Sequence, residues 1–307
     1  MDFFYSAKFA KFTTAALAVL FLLVAALLLL TGFSFYRVIS LDTGGGALDP
    51  RTLLGNPHVV SISGPGVTPR DGIFFPGQTG GPTIILAPGF RSQSSALLTL
   101  VAAFQDNNYN VLIFDFSGHG GVKGGTTLGY RETRELLAAV QAVAQRDDVD
   151  PERIGIWGHD MGAYAAISAA AADGRIRAVA VDSAYDSPET MFTLELKRQG
   201  SGNLPVVRTL CHWAFRILNL SHRNDPTLMQ RVPGMTGVAK LFIQGRDDAA
   251  LAESTLALFL AAGEPRQQMI VPKSSYAAMT DEEKRDYQKQ VVSFFLQHLP
   301  PTSEPPK

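Results

Sequence analysis

A single carboxylate stands at the apex of a tight turn near the middle of this 307-residue chain. Asp160 lies between Gly158 and Gly162, after a short apolar run and before an alanine-rich stretch. When such a turn joins a strand to a helix, it exposes its central side chain above the sheet. A carboxylate placed there can attack an alkyl carbon directly, or it can serve as a static hydrogen-bond acceptor.

Histidines are the side chains that could act as a general base beside this carboxylate. His159 immediately precedes Asp160, and we expect its side chain to point away from the apex. His119 follows a predicted strand, in a loop where a scaffold role is common. No histidine spacing matches a zinc site and no nucleotide-binding glycine motif is present, so we expect neither a metal nor a cofactor. Three histidines lie in a predicted insertion or on the last predicted helix: His212, His222 and His298.

The composition is typical of a globular protein. Hydrophobic residues make up 46% of the chain, and the formal net charge is −1, so we expect no nucleic-acid partner. Cys211 is the only cysteine, which excludes an internal disulfide. We interpret Cys211 as a small buried apolar residue.

Apolar runs and helical patterns alternate along most of the chain. Residues 83–87 and 111–115 are almost entirely apolar, as expected of strands covered on both faces. The alternation predicts an α/β fold with a mainly parallel sheet and helices on both faces. The predicted strands are residues 58–63, 72–75, 83–87, 111–115, 153–157, 178–181, 240–243 and 268–271, and the principal helices are residues 97–104, 131–145, 163–172 and 280–299.

Shorter segments surround this α/β domain, which we place at residues 58–299. Residues 1–11 form an N-terminal stub, and residues 37–57 form a flexible linker with three consecutive glycines. Residues from about 184 to 237 interrupt the alternation as an irregular helical insertion. We expect it to act as a lid, because ligands of such sheets bind beyond the carboxyl ends of the strands. Residues 300–307 are proline-rich and are predicted to be disordered.

Residues 12–36 contain no charged side chain and are rich in Leu, Ala and Val. About 25 such residues can cross the hydrocarbon core of a bilayer with some tilt. A cleaved signal peptide is the alternative, although its apolar core is usually only ~7–15 residues long. Lys8 and Lys11 precede the span and Arg37 follows it. This balance favours a single-pass membrane anchor with a cytoplasmic N-terminus and an exported domain.

Four further motifs occur in order along the predicted domain. They are Ala-Pro-Gly-Phe at 87–90, Asp-Phe-Ser-Gly-His-Gly at 115–120, Thr-Leu-Gly-Tyr-Arg-Glu at 127–132 and Gln-Gly-Arg-Asp-Asp at 244–248. With the Gly-x-Asp-x-Gly turn, they resemble the α/β-hydrolase fold over nearly the whole domain. More specifically, the chain resembles the membrane-anchored bacterial branch related to serine esterases and serine aminopeptidases. The second motif lacks the arginine that this family carries.

The resemblance implies roles for individual residues. Asp160 occupies the position of the nucleophile, Asp248 that of the triad acid, with Asp247 as the adjacent alternative, and Tyr276 that of the histidine. Related dehalogenases and epoxide hydrolases carry an Asp at this turn, but they still use a histidine to activate water. A tyrosine has an ordinary pKa of about 10, so Tyr276 is a poor base at neutral pH.

The resemblance also implies an oxyanion hole made by the backbone N–H groups of Phe90 and Met161. An ionised Asp160 beside these groups would be held there more readily than a substrate oxyanion. A static alternative is a buried polar trio, in which Asp160 bonds to the Tyr276 hydroxyl and this hydroxyl meets Asp248.

Three functions follow from these residues. The first is a membrane-tethered pseudoenzyme with little or no classical hydrolase activity, which binds an unidentified small molecule or peptide. The second is an active hydrolase in which Asp160 attacks an epoxide, haloalkane or ester, with His119 or a histidine of the insertion as substitute base. The third is an ordinary esterase whose histidine lies elsewhere. The first is favoured, because general-base catalysis is typically worth about 10²–10⁴ in rate.

Overall fold

The structure is a computed structural model that describes residues 2–40 and 56–301. Most of the predicted linker and tail lie outside these ranges. The chain divides into two compact units, of which unit 1 comprises Met1–Ile39 and Phe192–Arg223. Unit 2 comprises Ser40–Met191 and Asn224–Lys307. The central part of the predicted insertion therefore groups with the N-terminal helix and not with the α/β body.

Among the described residues, unit 2 contains an eight-stranded sheet. Its strands are β1 (His58–Gly64), β2 (Val67–Phe75), β3 (Gly81–Ala87), β4 (Asn110–Phe114), β5 (Val149–His159), β6 (Ile176–Asp182), β7 (Ala239–Gly245) and β8 (Arg266–Val271). They lie in the order β1-β2-β4-β3-β5-β6-β7-β8. The pairs β1–β2 and β2–β4 are antiparallel, and the other neighbouring strands are parallel. The predicted α/β fold with a mainly parallel sheet is confirmed.

Helices follow most of the strands. In the part of the chain that the structure describes, the α-helices are α1 (Asp2–Ile39), α2 (Leu98–Gln105), α3 (Tyr130–Ala144), α4 (Met161–Ala170), α5 (Pro188–Arg198), α6 (Pro205–Leu218), α7 (Leu228–Arg231), α8 (Ala249–Ala261) and α9 (Asp281–His298). Every residue of α4 is buried, and its small alanine side chains allow it to pack closely against β5 and β6. This packing places the start of α4 at the carboxyl edge of the sheet.

The centre of the sheet explains its apolar runs. Every residue of β3 and β4 is buried, whereas the edge strand β1 alternates between exposed and buried residues over most of its length. On one face, aromatic side chains from α2 and α9 pack together, with the rings of Phe104 and Phe295 5.4 Å apart. Burial of side chains of this size supplies the main stabilisation of the sheet against its helices.

Unit 1 contains α1, the part of α5 from Phe192 onward, α6 and the residues that follow α6 to Arg223. Within the apolar span Phe12–Ile39 of α1, an 18-residue window has a mean hydropathy of 2.8, and only 6% of that window is buried. The helix continues to Ile39, beyond the predicted end of the span at residue 36. α6 packs against α1, where the Cys211 thiol lies 3.6 Å from the carbonyl oxygen of Thr31. Cys211 is buried, as predicted.

Candidate active site

The turn at Asp160 depends on two close backbone approaches. Asp160 is the single residue between β5 and α4. A Cβ at Gly158 would lie 2.4 Å from the carbonyl oxygen of Gly162. A Cβ at Gly162 would lie 2.2 Å from the carbonyl oxygen of Ala87. Both distances are far below van der Waals contact, so only glycine permits α4 to begin so close to β3 and β5.

The backbone of Asp160 is strained. Its φ of 37° and ψ of −98° lie in a region that side-chain-bearing residues rarely adopt, at a cost of about 1–3 kcal/mol. Hydrogen bonds hold this conformation from both sides. The Asp160 N–H donates to the carbonyl oxygen of Asp182 at 2.8 Å, and the Tyr164 N–H donates to the carbonyl oxygen of Asp160 at 2.9 Å.

The Asp160 carboxylate accepts two backbone hydrogen bonds at one oxygen. The Phe90 N–H donates to Oδ1 at 2.6 Å, and the Met161 N–H donates to the same oxygen. These are the two donors that the resemblance assigned to an oxyanion hole. If these N–H groups formed an oxyanion hole, Asp160 Oδ1 and a substrate oxygen would exclude one another.

His159 faces Asp160, so the prediction that it points away is wrong. Its Nε2 lies 3.7 Å from Asp160 Oδ2, and its Nδ1 lies 3.9 Å from Asp182 Oδ1. Its ring stacks on Trp157, with an angle of 13° between the planes. Strand alternation would send neighbouring side chains to opposite faces, but the positive φ of Asp160 breaks this alternation. The imidazole therefore lies between two carboxylates.

Asp182 is a site residue that the sequence reasoning missed. It ends β6, is fully buried, and accepts hydrogen bonds from the Ser183 hydroxyl (2.9 Å) and the Tyr287 hydroxyl (2.8 Å). The Tyr287 hydroxyl accepts a further bond of 2.8 Å from the Trp157 indole N–H. Burial raises the pKa of Asp182 to about 6. The signal was available, because Asp182 directly follows the predicted strand 178–181 at the edge where ligands bind.

Tyr276 does not join the predicted polar trio. Its hydroxyl lies 2.7 Å from the Thr99 hydroxyl and accepts a bond of 2.5 Å from the Gln288 amide. The hydroxyl is thus satisfied by neutral groups from α2 and α9, not by Asp160 or Asp248. Burial raises the pKa of Tyr276 further, which makes it a still poorer base. The predicted trio was wrong because nearby neutral partners satisfy the hydroxyl.

The two acids after β7 support the loops around them. Asp248 caps α8, with its Oδ1 accepting a bond of 3.2 Å from the Leu251 N–H. Asp247 Oδ1 accepts a bond of 2.6 Å from the Ser274 N–H, which ties the loop after β7 to the loop after β8. Both contacts stabilise the loops that follow β7 and β8.

His119 is part of the scaffold. It is fully buried, its Nε2 accepts a bond of 3.1 Å from the Arg91 N–H, and its Nδ1 lies 3.2 Å from the Ser117 carbonyl oxygen. A ring with both nitrogens bonded to backbone is not free to take a proton from water. Burial also lowers the pKa of His119. The geometry therefore favours His159 over His119 as the imidazole beside Asp160.

A cavity of about 150 Å³ lies beside this group. Its lining includes Phe90, Trp157, His159 and Tyr276. Sites for drug-sized ligands usually measure about 300–1,000 Å³, so this cavity suits only a small ligand or a few waters. A larger cleft of about 520 Å³ includes Asp150 and Arg177, near the starts of β5 and β6, which is not the edge where such sheets bind ligands. Among the described residues, no group of three His, Cys, Asp or Glu side chains could hold a metal ion.

The strand order, the strained turn and the two N–H donors at its apex define a protein of the α/β-hydrolase class. The sequence profile of the alpha/beta hydrolase family matches residues 84–300, and the chain belongs to this family.

Individual proteins are also similar to this chain. The uncharacterized protein YfhR of Escherichia coli (strain K12) is 28% identical over 243 residues, which cover 76% of this chain and 78% of that protein. The esterase Pf2001 of Pyrococcus furiosus has a similar structure, with a TM-score of 0.65 and 19% identity over 85% of this chain and 99% of that chain. The alpha/beta hydrolase GrgF of a Penicillium species gives a TM-score of 0.60 at 18% identity, over 79% of this chain and 99% of that chain. At these identities the two structures show the fold alone.

Proposed function

We propose that this chain is a membrane-anchored α/β-hydrolase-family protein that has lost classical serine-hydrolase chemistry and binds a small ligand. One observation carries the proposal: Asp160 Oδ1 accepts both N–H groups that would stabilise a substrate oxyanion. Removing a single such donor typically costs about 10²–10³ in kcat. Here both donors are occupied and no serine stands at the apex, so acyl transfer lacks its main electrostatic stabilisation.

The group at the histidine position supports the same proposal. Tyr276 is bonded to Thr99 and Gln288, and burial raises its pKa, so it cannot activate water at neutral pH. The cavity of about 150 Å³ beside it leaves room for a small molecule and none for a long acyl chain or a peptide. Binding without turnover is the function that this arrangement supports best.

An esterase assay tests the loss of activity. The full-length protein in detergent is given p-nitrophenyl acetate and butyrate, with an Asp160→Asn variant as the matched control. We expect both proteins to release p-nitrophenol at the same background rate. An Asp160→Ser/Tyr276→His variant should gain measurable turnover, because it restores the nucleophile and the base. Turnover by the native protein that Asp160→Asn abolishes would contradict the proposal.

A second function is favoured by the position of His159, whose Nε2 lies 3.7 Å from Asp160 Oδ2. Oδ2 is not the oxygen held by the two backbone donors. It could attack the carbon of a haloalkane or an epoxide, which forms a C–O bond and releases halide or opens the ring. Water would then cleave the resulting ester as His159 takes its proton, with Asp182 stabilising the imidazolium at 3.9 Å.

Isotope incorporation separates this second function from the first. The protein is incubated with a short chloroalkane or epoxide in heavy-oxygen water, and the peptide that contains Asp160 is weighed. Covalent catalysis inserts heavy oxygen into the Asp160 carboxylate, because water attacks the ester carbonyl. His159→Gln should trap the unhydrolysed ester as a mass adduct. An unlabelled peptide without an adduct supports the binding function.

The anchor is the remaining part of the proposal. The apolar span Phe12–Ile39 is long enough to cross a bilayer, and most of its side chains are exposed. A signal peptide is the alternative reading of the same helix. Lys8 and Lys11 before the span favour a cytoplasmic N-terminus and an exported α/β body. Fusion of a periplasmic reporter enzyme to the C-terminus tests this orientation, and we expect the reporter to be active.

A further inference from the structure

α6 packs against the last third of α1 within unit 1. Thr31, Ser34 and Val38 are buried positions of α1, spaced three and four residues apart so that they share one helical face. Cys211 lies 3.6 Å from the Thr31 carbonyl oxygen, and Phe35 packs edge-on against Phe192 at 5.8 Å. Much of the earlier span, by contrast, is exposed.

The opposite face of α6 is apolar and exposed. Val207, Cys211 and Phe215 are its buried residues. A second set of apolar residues, which we name the α6 stripe, has three members on α6 and a fourth, Leu220, in the turn that directly follows α6. The members are 56–67% exposed: Val206, Trp213, Ile217 and Leu220. An exposed row of large apolar side chains on a soluble surface is unusual and indicates a binding surface.

The charge of residues 192–223, the segment that contains α6, indicates what covers the α6 stripe. Residues 192–223 contain five basic residues and one acidic residue, a net charge of +4, although the whole chain carries −1. Glu195, the acidic residue, forms an ion pair of 2.6 Å with Arg198. The other basic residues are exposed: Lys197, Arg208, Arg216 and Arg223. A basic amphipathic helix with Trp and aliphatic residues on its apolar face is typical of elements that lie at the surface of an anionic bilayer.

The position of α6 along α1 matches the depth of such a surface. Counting about 20 residues from Phe12, at about 1.5 Å each, spans a hydrocarbon core of about 30 Å and ends at Thr31. Thr31 is the residue that Cys211 of α6 contacts. Tyr36 and Arg37 follow within two turns, and both are exposed, as expected where a span leaves the bilayer. α6 therefore meets α1 at the level of the lipid headgroups.

We propose that α6 lies in the headgroup layer of the bilayer that α1 crosses, with the α6 stripe inserted among the lipids. Arg216, on the flank of the stripe, and Arg223 then face anionic phospholipid headgroups. This inference rests on the proposed membrane anchor. A bilayer is preferred to a protein partner because α6 packs against the candidate membrane span and the segment that carries the stripe has the complementary positive charge.

Trp213 is a built-in probe of this contact. The chain has two tryptophans, and the other, Trp157, is only 1% exposed. The full-length protein is reconstituted into phosphatidylcholine vesicles with and without phosphatidylglycerol, and with lipids brominated at shallow or deep acyl positions. We expect shallow bromines to quench the emission most strongly and phosphatidylglycerol to increase this quenching. Trp213→Phe should remove the quenched component.

Two substitutions of equal charge give a matched comparison. Ile217→Asp places a charge in the stripe at a side chain that is 67% exposed, so folding should be preserved. Asn203→Asp adds the same charge at an exposed position before α6, outside the stripe. We expect bromolipid quenching of Trp213 to be lost in the first variant and kept in the second. Replacement of Arg216 and Arg223 by Gln should abolish the effect of phosphatidylglycerol.

Extraction with alkaline carbonate tests the anchor separately from this inference, because a chain that spans the membrane stays in the membrane pellet. If the chain stays in the membrane but Trp213 is quenched by soluble iodide and not by bromolipid, the anchor stands and the inference is overturned. If Trp213 is shielded from both quenchers, a protein covers the stripe and the inference is also overturned. If carbonate releases the chain, both proposals fail.

Discussion

At the scale of single residues, the site is a row of two carboxylates with an imidazole between them. Asp160 binds the two backbone donors, His159 lies 3.7 Å from it, and Asp182 lies 3.9 Å beyond His159. Tyr287 and Ser183 hold Asp182 in place by hydrogen bonds. The row is thus built from the ends of β5 and β6, which pair in register at His159 and Asp182.

The buried carboxyl of Asp182 makes stability depend on pH. Burial raises its pKa from 3.8 to about 6 in the folded chain, so the folded state binds more protons than the unfolded state between these values. The contribution of Asp182 to the free energy of unfolding is therefore largest below about pH 4. It decreases by about 3 kcal/mol as pH rises through about 6. Asp182→Asn should remove this slope, as measured by urea unfolding at several pH values between about 4 and 7.

The exposed Asp71→Asn is the matched control, because it removes the same charge from the sheet without changing a buried group. It should keep the slope of the native chain. An unchanged slope in Asp182→Asn would show that Asp182 is not the group responsible.

At the scale of elements, a buried ion pair joins β2 to α3. The Arg70 guanidinium donates two bonds of 2.8 Å to Glu135, whose side chain is 0% exposed. It also donates to the Asp115 carbonyl oxygen and the Ser117 hydroxyl, both at 3.1 Å. The guanidinium therefore fixes the antiparallel strand β2 against a helix and against the loop that begins after β4.

Arg70→Met should lower the free energy of unfolding by about 3–5 kcal/mol, because it leaves the Glu135 carboxylate buried without its cation. Urea unfolding of the full-length protein in detergent measures this loss. The double variant Arg70→Met/Glu135→Leu should recover most of the stability, since no charge is then buried. If the single and double variants are equally unstable, lost packing and not an unpaired charge is responsible.

The elements themselves were largely predictable from the sequence, but the contacts within the site were not. β3 and β4 coincide with the predicted apolar runs within two residues, because fully buried strands carry a continuous apolar signal. β2 begins at Val67, five residues before the predicted strand, because Arg70 and Asp71 within it are charged. A hydropathy pattern does not show that Arg70 forms a buried ion pair with Glu135.

Some features of the candidate site could likewise be predicted from the sequence and others could not. Asp160, Phe90 and Met161 could be identified from motifs, because a turn of fixed geometry places them. The partners of Tyr276 could not, because Thr99 and Gln288 come from distant parts of the chain and meet it only through packing. The orientation of His159 depends on a positive φ at Asp160, which alternation does not anticipate.

At the scale of the whole molecule, the chain combines an α/β-hydrolase body with a second unit that contains a candidate membrane span. In unit 2 the apolar surface is turned inward around the sheet, whereas in unit 1 the large apolar side chains of α1 and α6 are exposed. A bilayer supplies the apolar environment that such side chains need. The expectation that the insertion acts as a lid stays a prediction.

The proposed membrane anchor leads to a prediction of how charges in the span affect membrane integration. Leu22 and Leu23 are 65% and 64% exposed, so replacing both with Lys removes little packing. Each Lys near the centre of a span costs about 2.5–3.5 kcal/mol, so most of the variant should be released by alkaline carbonate. Leu22→Ile/Leu23→Ile is the matched control and should stay in the pellet. Release of the control together with the Lys variant would argue against a spanning helix.

The most direct test of the central claim asks whether the Asp160 carboxylate occupies the oxyanion hole. Asp160→Gly removes this carboxylate, and glycine tolerates the positive φ of that position. The vacated N–H groups of Phe90 and Met161 should then bind acetate. Thermal unfolding at increasing acetate, with chloride at equal ionic strength as the control, should show the midpoint rising in Asp160→Gly by about 2–4 °C per kcal/mol of binding. The native protein should show no rise. An equal rise in the native protein, or none in the variant, would contradict the account.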